Sequence, residues 1–256
     1  MGFLASLLGE FVPEVSLQGL LILSIGAFIS GLVRGFSGFG TAMVYLPFAG
    51  SQLSPVWALT SMVIMDLIAP VTLVPKTLKD TYLPDIYKLG LGALITCPLG
   101  VLVLVLLEPE IFRYSVSVLT FVLLTLLVIG FRYRGMLNAP LIVGTGGLGG
   151  FLSGTVGLPG PPVIMLYMAS TLPVKTIRAN IFIYLIFADL LLLGIFGFRD
   201  LLDLSAVIIG LIVMLPYLTA LWIGSYFFDS EKEKQYRNIA YLIIFFSALI
   251  GLPIWY

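Results

Sequence analysis

The stretches Phe28-Ile-Ser-Gly-Leu-Val-Arg-Gly-Phe-Ser-Gly-Phe-Gly-Thr41 and Phe151-Leu-Ser-Gly-Thr-Val-Gly-Leu-Pro-Gly-Pro-Pro162 lie about 120 residues apart, and each interrupts an apolar segment. Glycine loses the most backbone freedom in a helix, and proline lacks the N–H that a helix interior requires. Neither stretch is therefore expected to continue as one regular helix. Matching interruptions in the two halves of a membrane protein point to a binding site formed by discontinuous helices.

Composition supports the membrane setting. Of the 256 residues, 60% are apolar and only 10% carry charge, and the mean hydropathy is +1.13. A soluble domain of this length shows far more charge. The single cysteine, Cys97, rules out an intrachain disulfide or a cysteine-based metal cluster, and the chain has no histidine. No cofactor, metal or nucleic-acid partner is implied. The first residues show neither a basic n-region nor a small-residue cleavage site, so a removable signal peptide is not expected.

Apolar runs long enough to span a bilayer fall at 17–34, 56–75, 87–107, 114–131, 180–198, 204–228 and 238–255. Shorter apolar pieces flank both interruptions. Pro55-Val56 matches Pro173-Val174, and Gly92 with Pro98 matches Gly210 with Pro216, all at an offset of 118. This order of landmarks indicates a duplication. The expected halves are 1–134, with a hairpin at 17–50 and spans 56–75, 87–107 and 114–131, and 135–256, with a hairpin at 140–172 and spans 180–198, 204–228 and 238–255.

Loop charge supplies an orientation. If each hairpin enters and leaves on one side or crosses twice, Lys76, Lys79, Lys88, Arg132, Arg134, Lys175, Arg178, Lys232, Lys234 and Arg237 share one face, and only Arg113 and Arg199 take the other. The minority face also holds Glu10, Glu14, Glu108, Glu110, Asp200 and Asp203. This split is a positive-inside signal that places both termini outside. An odd number of spans after each hairpin inverts the second half. The expected fold is an all-α integral membrane protein of two inverted repeats. Each repeat is a broken or re-entrant helical hairpin plus three transmembrane helices, about eight to ten membrane helices in all.

A break at membrane depth leaves backbone groups that lipid cannot satisfy, so it must be buried in protein or line a polar cavity. A half-helix starting after the break aims its first N–H groups and positive dipole end into that cavity, which suits an anion. Ser37 and Thr41 add hydroxyls around the first break. Gly38, Gly40, Gly157 and Gly160 allow close backbone approach, and Pro161 and Pro162 stand where a missing N–H does least harm. The same small residues also suit close helix packing, and both readings stay open.

Arg34 is the one basic residue deep in an apolar stretch, where a charge costs about 3 kcal/mol or more. It can neutralise an anion through its planar fork, snorkel to the interface, or pair with Asp66. Asp66 and Asp189 lie near the middle of apolar runs and are candidates for proton coupling or for interhelical bonding. Ser61 and Asn180, just inside the spans that follow the breaks, are further candidate polar contacts. There is no phosphate loop, nucleophile elbow or metal-ligand cluster, so an enzyme is not indicated.

With these residues in place, the chain resembles the sulfite exporter TauE/SafE family, also called the 4-toluenesulfonate uptake permease family. The resemblance rests on Ser30-Gly31 followed by Gly35, Gly38 and Gly40, and on Ser153-Gly154 followed by Gly157 and Gly160. Where that family usually carries runs of glycine, this chain has Gly38-Phe-Gly40-Thr41 and Pro159-Gly160-Pro161-Pro162. The resemblance implies secondary transport of a small anion such as sulfite, thiosulfate, a sulfonate or sulfoacetate across a prokaryotic inner membrane. Candidate binding residues are Ser30, Gly31, Arg34, Ser37, Gly38, Gly40, Thr41, Ser61, Ser153, Gly154, Gly157, Gly160 and Asn180. The expected partners are the anion and the lipid bilayer, with room for a homodimer. A passive anion channel and a carboxylate transporter are the alternatives.

Overall fold

The computed structural model describes residues 15–71, 74–130, 137–167, 170–227 and 233–254. Glu10, Glu14, Arg132, Arg134 and Lys232 lie outside them. The described residues are helical, with no strand among them. The helices are α1 (Leu17–Ser37), α2 (Thr41–Ala49), α3 (Pro55–Val71), α4 (Val74–Thr77), α5 (Leu83–Leu106), α6 (Pro109–Val128), α7 (Ala139–Val156), α8 (Gly160–Tyr167), α9 (Val174–Phe198), α10 (Leu204–Phe227) and α11 (Glu233–Gly251), with one 3₁₀ turn at Leu78–Asp80.

Six of these helices are long and apolar enough to cross a membrane: α1, α5, α6, α7, α9 and α10. α3 is apolar but shorter. α11 starts on the charged residues Glu233, Lys234 and Arg237 and is not among the six.

Local chemistry sets the helix ends. Ser16 caps α1 by accepting from the Gly19 N–H at 3.0 Å, and Asn138 caps α7 by accepting from the Leu141 N–H at 3.0 Å. Both long hairpin helices stop at a left-handed glycine, Gly38 with φ 77° and Gly157 with φ 69°. At Gly157 the termination is an αL motif: the Gly157 N–H donates to the Ser153 carbonyl at 3.1 Å, and the Leu158 N–H reaches further back to the Leu152 carbonyl at 3.2 Å. At Gly38 a single bond of 2.9 Å to the Arg34 carbonyl does the same work.

The chain forms two compact units, and they cut across its halves. The first comprises residues up to Asp66, Glu108–Leu124 and Leu202 onward; the second comprises Leu67–Leu107 and Thr125–Leu201. Each unit combines a broken hairpin from one half with a proline-containing long helix from the other.

In the first unit α1 lies along α10, which contains Pro216. A Cβ on Gly31 would overlap the Tyr217 carbonyl oxygen, and one on Gly35 would sit 2.6 Å from the Leu221 carbonyl oxygen. Gly224 meets the Leu32 carbonyl in the same way at 2.7 Å. The residue numbers rise together on both helices, so they run parallel.

In the second unit α7 lies along α5, which contains Pro98. Gly146, Gly150 and Gly154, spaced by four, face Leu89, Ala93 and Cys97. These helices are also parallel. Small residues at such spacing bring backbones together where lipid offers no hydrophobic drive for helix association. A core of Leu89, Ala93, Ile142, Val163, Leu166, Tyr167 and Tyr184 then fixes α8 and α9 against this pair.

Candidate functional site

The first break is a tight turn of two left-handed glycines, Gly38 and Gly40 at φ 77° and 96°, with Phe39 between them. Ser37 secures it. Its hydroxyl donates toward the Val33 carbonyl at 2.6 Å and the Phe39 carbonyl at 2.7 Å, and accepts from the Phe39 N–H at 3.3 Å. α2 then begins at Thr41 without a side-chain cap. The first helical bond there is Val44 N–H to the Gly40 carbonyl at 3.1 Å, so the N–H groups of Thr41, Ala42 and Met43 precede it.

A chain of polar side chains wraps this helix start. Arg34 Nη1 lies 3.4 Å from Asp66 Oδ2. The Tyr217 hydroxyl donates to Asp66 Oδ1 and lies 3.3 Å from Thr41 Oγ1. Three helices and the break itself thus converge on one buried carboxylate. Asp66 and Arg34 side chains are 12% and 14% exposed, so the pair is largely removed from solvent, while Gly38 at the turn is exposed. The arrangement provides one cation, one carboxylate, two hydroxyls and the positive end of a helix.

The second break is built differently. Residues 152–163 are all buried, and none of them is charged. α8 starts at Gly160, followed by Pro161 and Pro162, which have no N–H to offer a ligand. The Pro159 carbonyl folds back to within 3.0 Å of where a Cβ on Gly149 would stand.

The remaining expected site residues separate into distinct roles. Ser30 donates to the Ala27 carbonyl at 2.8 Å within its own helix. Gly31 and Gly154 face the backbones of α10 and α5, so their small size serves the helix contacts. Ser61 donates to the Ala58 carbonyl at 3.0 Å and meets the Tyr45 hydroxyl at 3.1 Å. Ser153 is buried. Asn180 accepts from the Tyr82 N–H and donates to the Tyr167 hydroxyl, both at 2.8 Å. Asp189 is half-buried on α9, in the other unit from Asp66.

Four participants were not among the residues singled out from sequence: Tyr45, Tyr167, Tyr217 and Asp85. The tyrosines sit in apolar helices, where a buried phenol needs a hydrogen-bond partner. That need was the available signal. Asp85 follows a loop and reads as a surface residue, yet it is 5% exposed.

Helices broken at glycine turns among long apolar ones, with an ion pair beside the first break, are the architecture of a polytopic membrane protein. A model of the sulfite exporter TauE/SafE family matches residues 23–250, and the chain belongs to that family of membrane transporters. No curated protein and no solved structure matches it.

Proposed function

We propose that this protein is a secondary transporter that carries a small sulfur-containing oxyanion, with sulfite as the leading substrate, across the inner membrane of a prokaryote by alternating access. One observation carries the reading: the uncapped start of α2 opens beside the Arg34–Asp66–Tyr217–Thr41 chain. The N–H groups of Thr41, Ala42 and Met43 and the guanidinium fork of Arg34 are suited to oxyanion oxygens. Asp66 competes with the anion for Arg34. A proton on Asp66 removes that competition, so anion and proton bind together and the buried charge stays balanced. Tyr217 holds the carboxylate in place and ties it to Thr41.

The second break is uncharged and proline-rich, so no charge-holding role falls to it. The hairpin-plus-three-span halves, inverted in the bilayer with both termini outside, give the two-sided access that such a cycle needs.

The test is uptake of labelled sulfite into proteoliposomes with an imposed pH gradient. Accumulation above the external concentration, collapsing when the gradient is dissipated, is expected. Equilibration without accumulation would instead identify a passive channel. Accumulation of small carboxylates but not sulfite would reassign the substrate.

A further inference from the structure

Among the described residues, three buried hydroxyls of the first unit have no hydrogen-bond partner: Thr60 on α3, and Ser117 and Thr120 on α6. Ser117 and Thr120 are both 0% exposed. A hydroxyl in an apolar helix commonly donates to a carbonyl one turn back. Ser30, Ser37 and Thr96 do so here, to Ala27, Val33 and Gly92 at 2.8, 2.6 and 3.1 Å. Ser117 and Thr120 do not. With Arg113 they stand at i, i+4 and i+7, on one face of α6.

That face runs along α2. Just past the end of α2, a Cβ on Gly50 would sit 3.3 Å from Arg113 Cγ. One turn further along α6, a Cβ on Gly251 would sit 2.6 Å from Pro47 Cβ and 2.9 Å from Ser117 Oγ, so α2, α6 and α11 meet at that point. Phe121, next to Thr120, packs on Phe245 of α11 with ring centroids 5.3 Å apart. Its neighbour Ile244 reaches to 3.3 Å from where a Cβ on Gly40 would stand. Thr120 is therefore level with the start of α2, and Arg113 with its end. The polar face spans the whole of α2, from the proposed anion site to the Arg113 end of the unit.

We propose that Arg113, Ser117 and Thr120 line the route by which a small oxyanion travels between the start of α2 and the Arg113 end of the first unit, and that the contact of Gly251 with Pro47 closes it. Hydroxyl donors and a guanidinium suit oxyanion oxygens. No acidic residue competes along the way, since α2 has none and α6 has none beyond Glu110. A buried donor without a partner lowers stability, and an apolar side chain of the same shape would not. A passing anion gives such donors a use. Two hydroxyls also hold an anion more weakly than the Arg34 site, as a passage requires. The missing Cβ at Gly251 lets α11 press onto Pro47 over Ser117, and moving α11 away uncovers Ser117 first. The route rests on the proposed transport function, but its test does not require the anion to be sulfite.

The experiment uses the full-length protein in proteoliposomes, with Cys97→Ser and one new cysteine at a time. The probe is a membrane-impermeant methanethiosulfonate bearing a sulfonate, applied in turn to each side of the membrane; its trimethylammonium counterpart is the charge control. From the Arg113 side, Ser117→Cys and Thr120→Cys should react with the anionic reagent about tenfold or more faster than Val118→Cys and Val122→Cys. Those two controls lie on the opposite side of α6, where Val118 and Val122 are 51% and 49% exposed. Equal rates at all four positions, no reaction at Ser117→Cys and Thr120→Cys, or a cationic reagent as fast as the anionic one overturns the route. Ser117→Ala and Thr120→Val supply a second readout that does not depend on the cysteine variants folding. Each should unfold at the same or a higher temperature and take up sulfite severalfold more slowly. A lower unfolding temperature would make the hydroxyls structural, and unchanged uptake would leave them out of the path; either result overturns the route. The labelling pattern in a protein that moves no sulfite would retire the substrate assignment and leave the route standing.

Discussion

Arg34 and Asp66 meet 3.4 Å apart, on α1 and α3, where both side chains are largely withdrawn from solvent. Each is costly alone in an apolar setting, and together they form a neutral unit. In the proposed transport cycle a competing anion splits this pair, and the loss of either member is a structural liability.

Removing one member leaves the other buried without its counter-charge, a loss of about 3–5 kcal/mol. Arg34→Gln and Asp66→Asn should each lower the unfolding temperature in detergent. The double variant Arg34→Gln/Asp66→Asn should recover most of that loss yet bind no sulfite by calorimetry. A double variant that binds sulfite as tightly as the unmodified protein would reduce the pair to a structural role.

Tyr217 links the carboxylate to the break through Thr41. Tyr217→Phe removes a bond to a charged group, worth about 1.5–3 kcal/mol. Sulfite affinity should drop roughly tenfold or more, while α10 stays packed against α1 because the ring is retained. Unchanged affinity in the phenylalanine variant would remove Tyr217 from the site.

The glycines divide into two kinds, and substitution should distinguish them. At Gly38 and Gly157 the backbone is left-handed, and a Cβ costs about 1–2 kcal/mol there. Gly38→Ala has open space around it, so it should lose stability modestly, and Gly38→Asn should lose less. Gly31→Ala instead drives a methyl into the Tyr217 carbonyl. It should weaken the α1–α10 contact far more, seen as lower expression and a larger drop in unfolding temperature. Equal effects at positions 31 and 38 would contradict this division.

Topology is tested by cysteines placed at Leu78 and Lys234 in a variant in which Cys97 is Ser. Both should react with a membrane-impermeant maleimide only from the cytoplasmic face. Labelling of either from the outside would overturn the inverted arrangement.

Much of this was legible in sequence because it is local. A helix must stop where glycine adopts a positive φ or where proline withdraws an N–H, so both breaks could be read from Gly38, Gly40, Gly157 and the prolines, whereas α5, α6, α9 and α11 begin four to six residues before the apolar runs that signalled them. Arg34 and Asp66 each stood out, since a charge in an apolar run is conspicuous, and their pairing was one of the readings open for Arg34. Tyr217, Tyr167 and Asp85 did not stand out: a tyrosine in a span or an aspartate beside a loop is ordinary until its partner is known. Nor could the sequence say which helix each glycine faces. Gly31 and Gly154 read equally well as ligand contacts and as packing positions, and the difference lies in Tyr217 and Cys97, far along the chain.

Sequence by itself determined a polytopic helical membrane protein, interrupted at two matched places, with one charged break and one uncharged. The tertiary structure decided the partners: α1 with α10, α7 with α5, Asp66 with Arg34 and Tyr217, and Asp85 with Tyr167. The physical reason is range. Backbone conformation and bilayer solvation act on neighbouring residues, whereas close packing and hydrogen bonding of buried groups join residues that only the folded chain brings within a few ångströms.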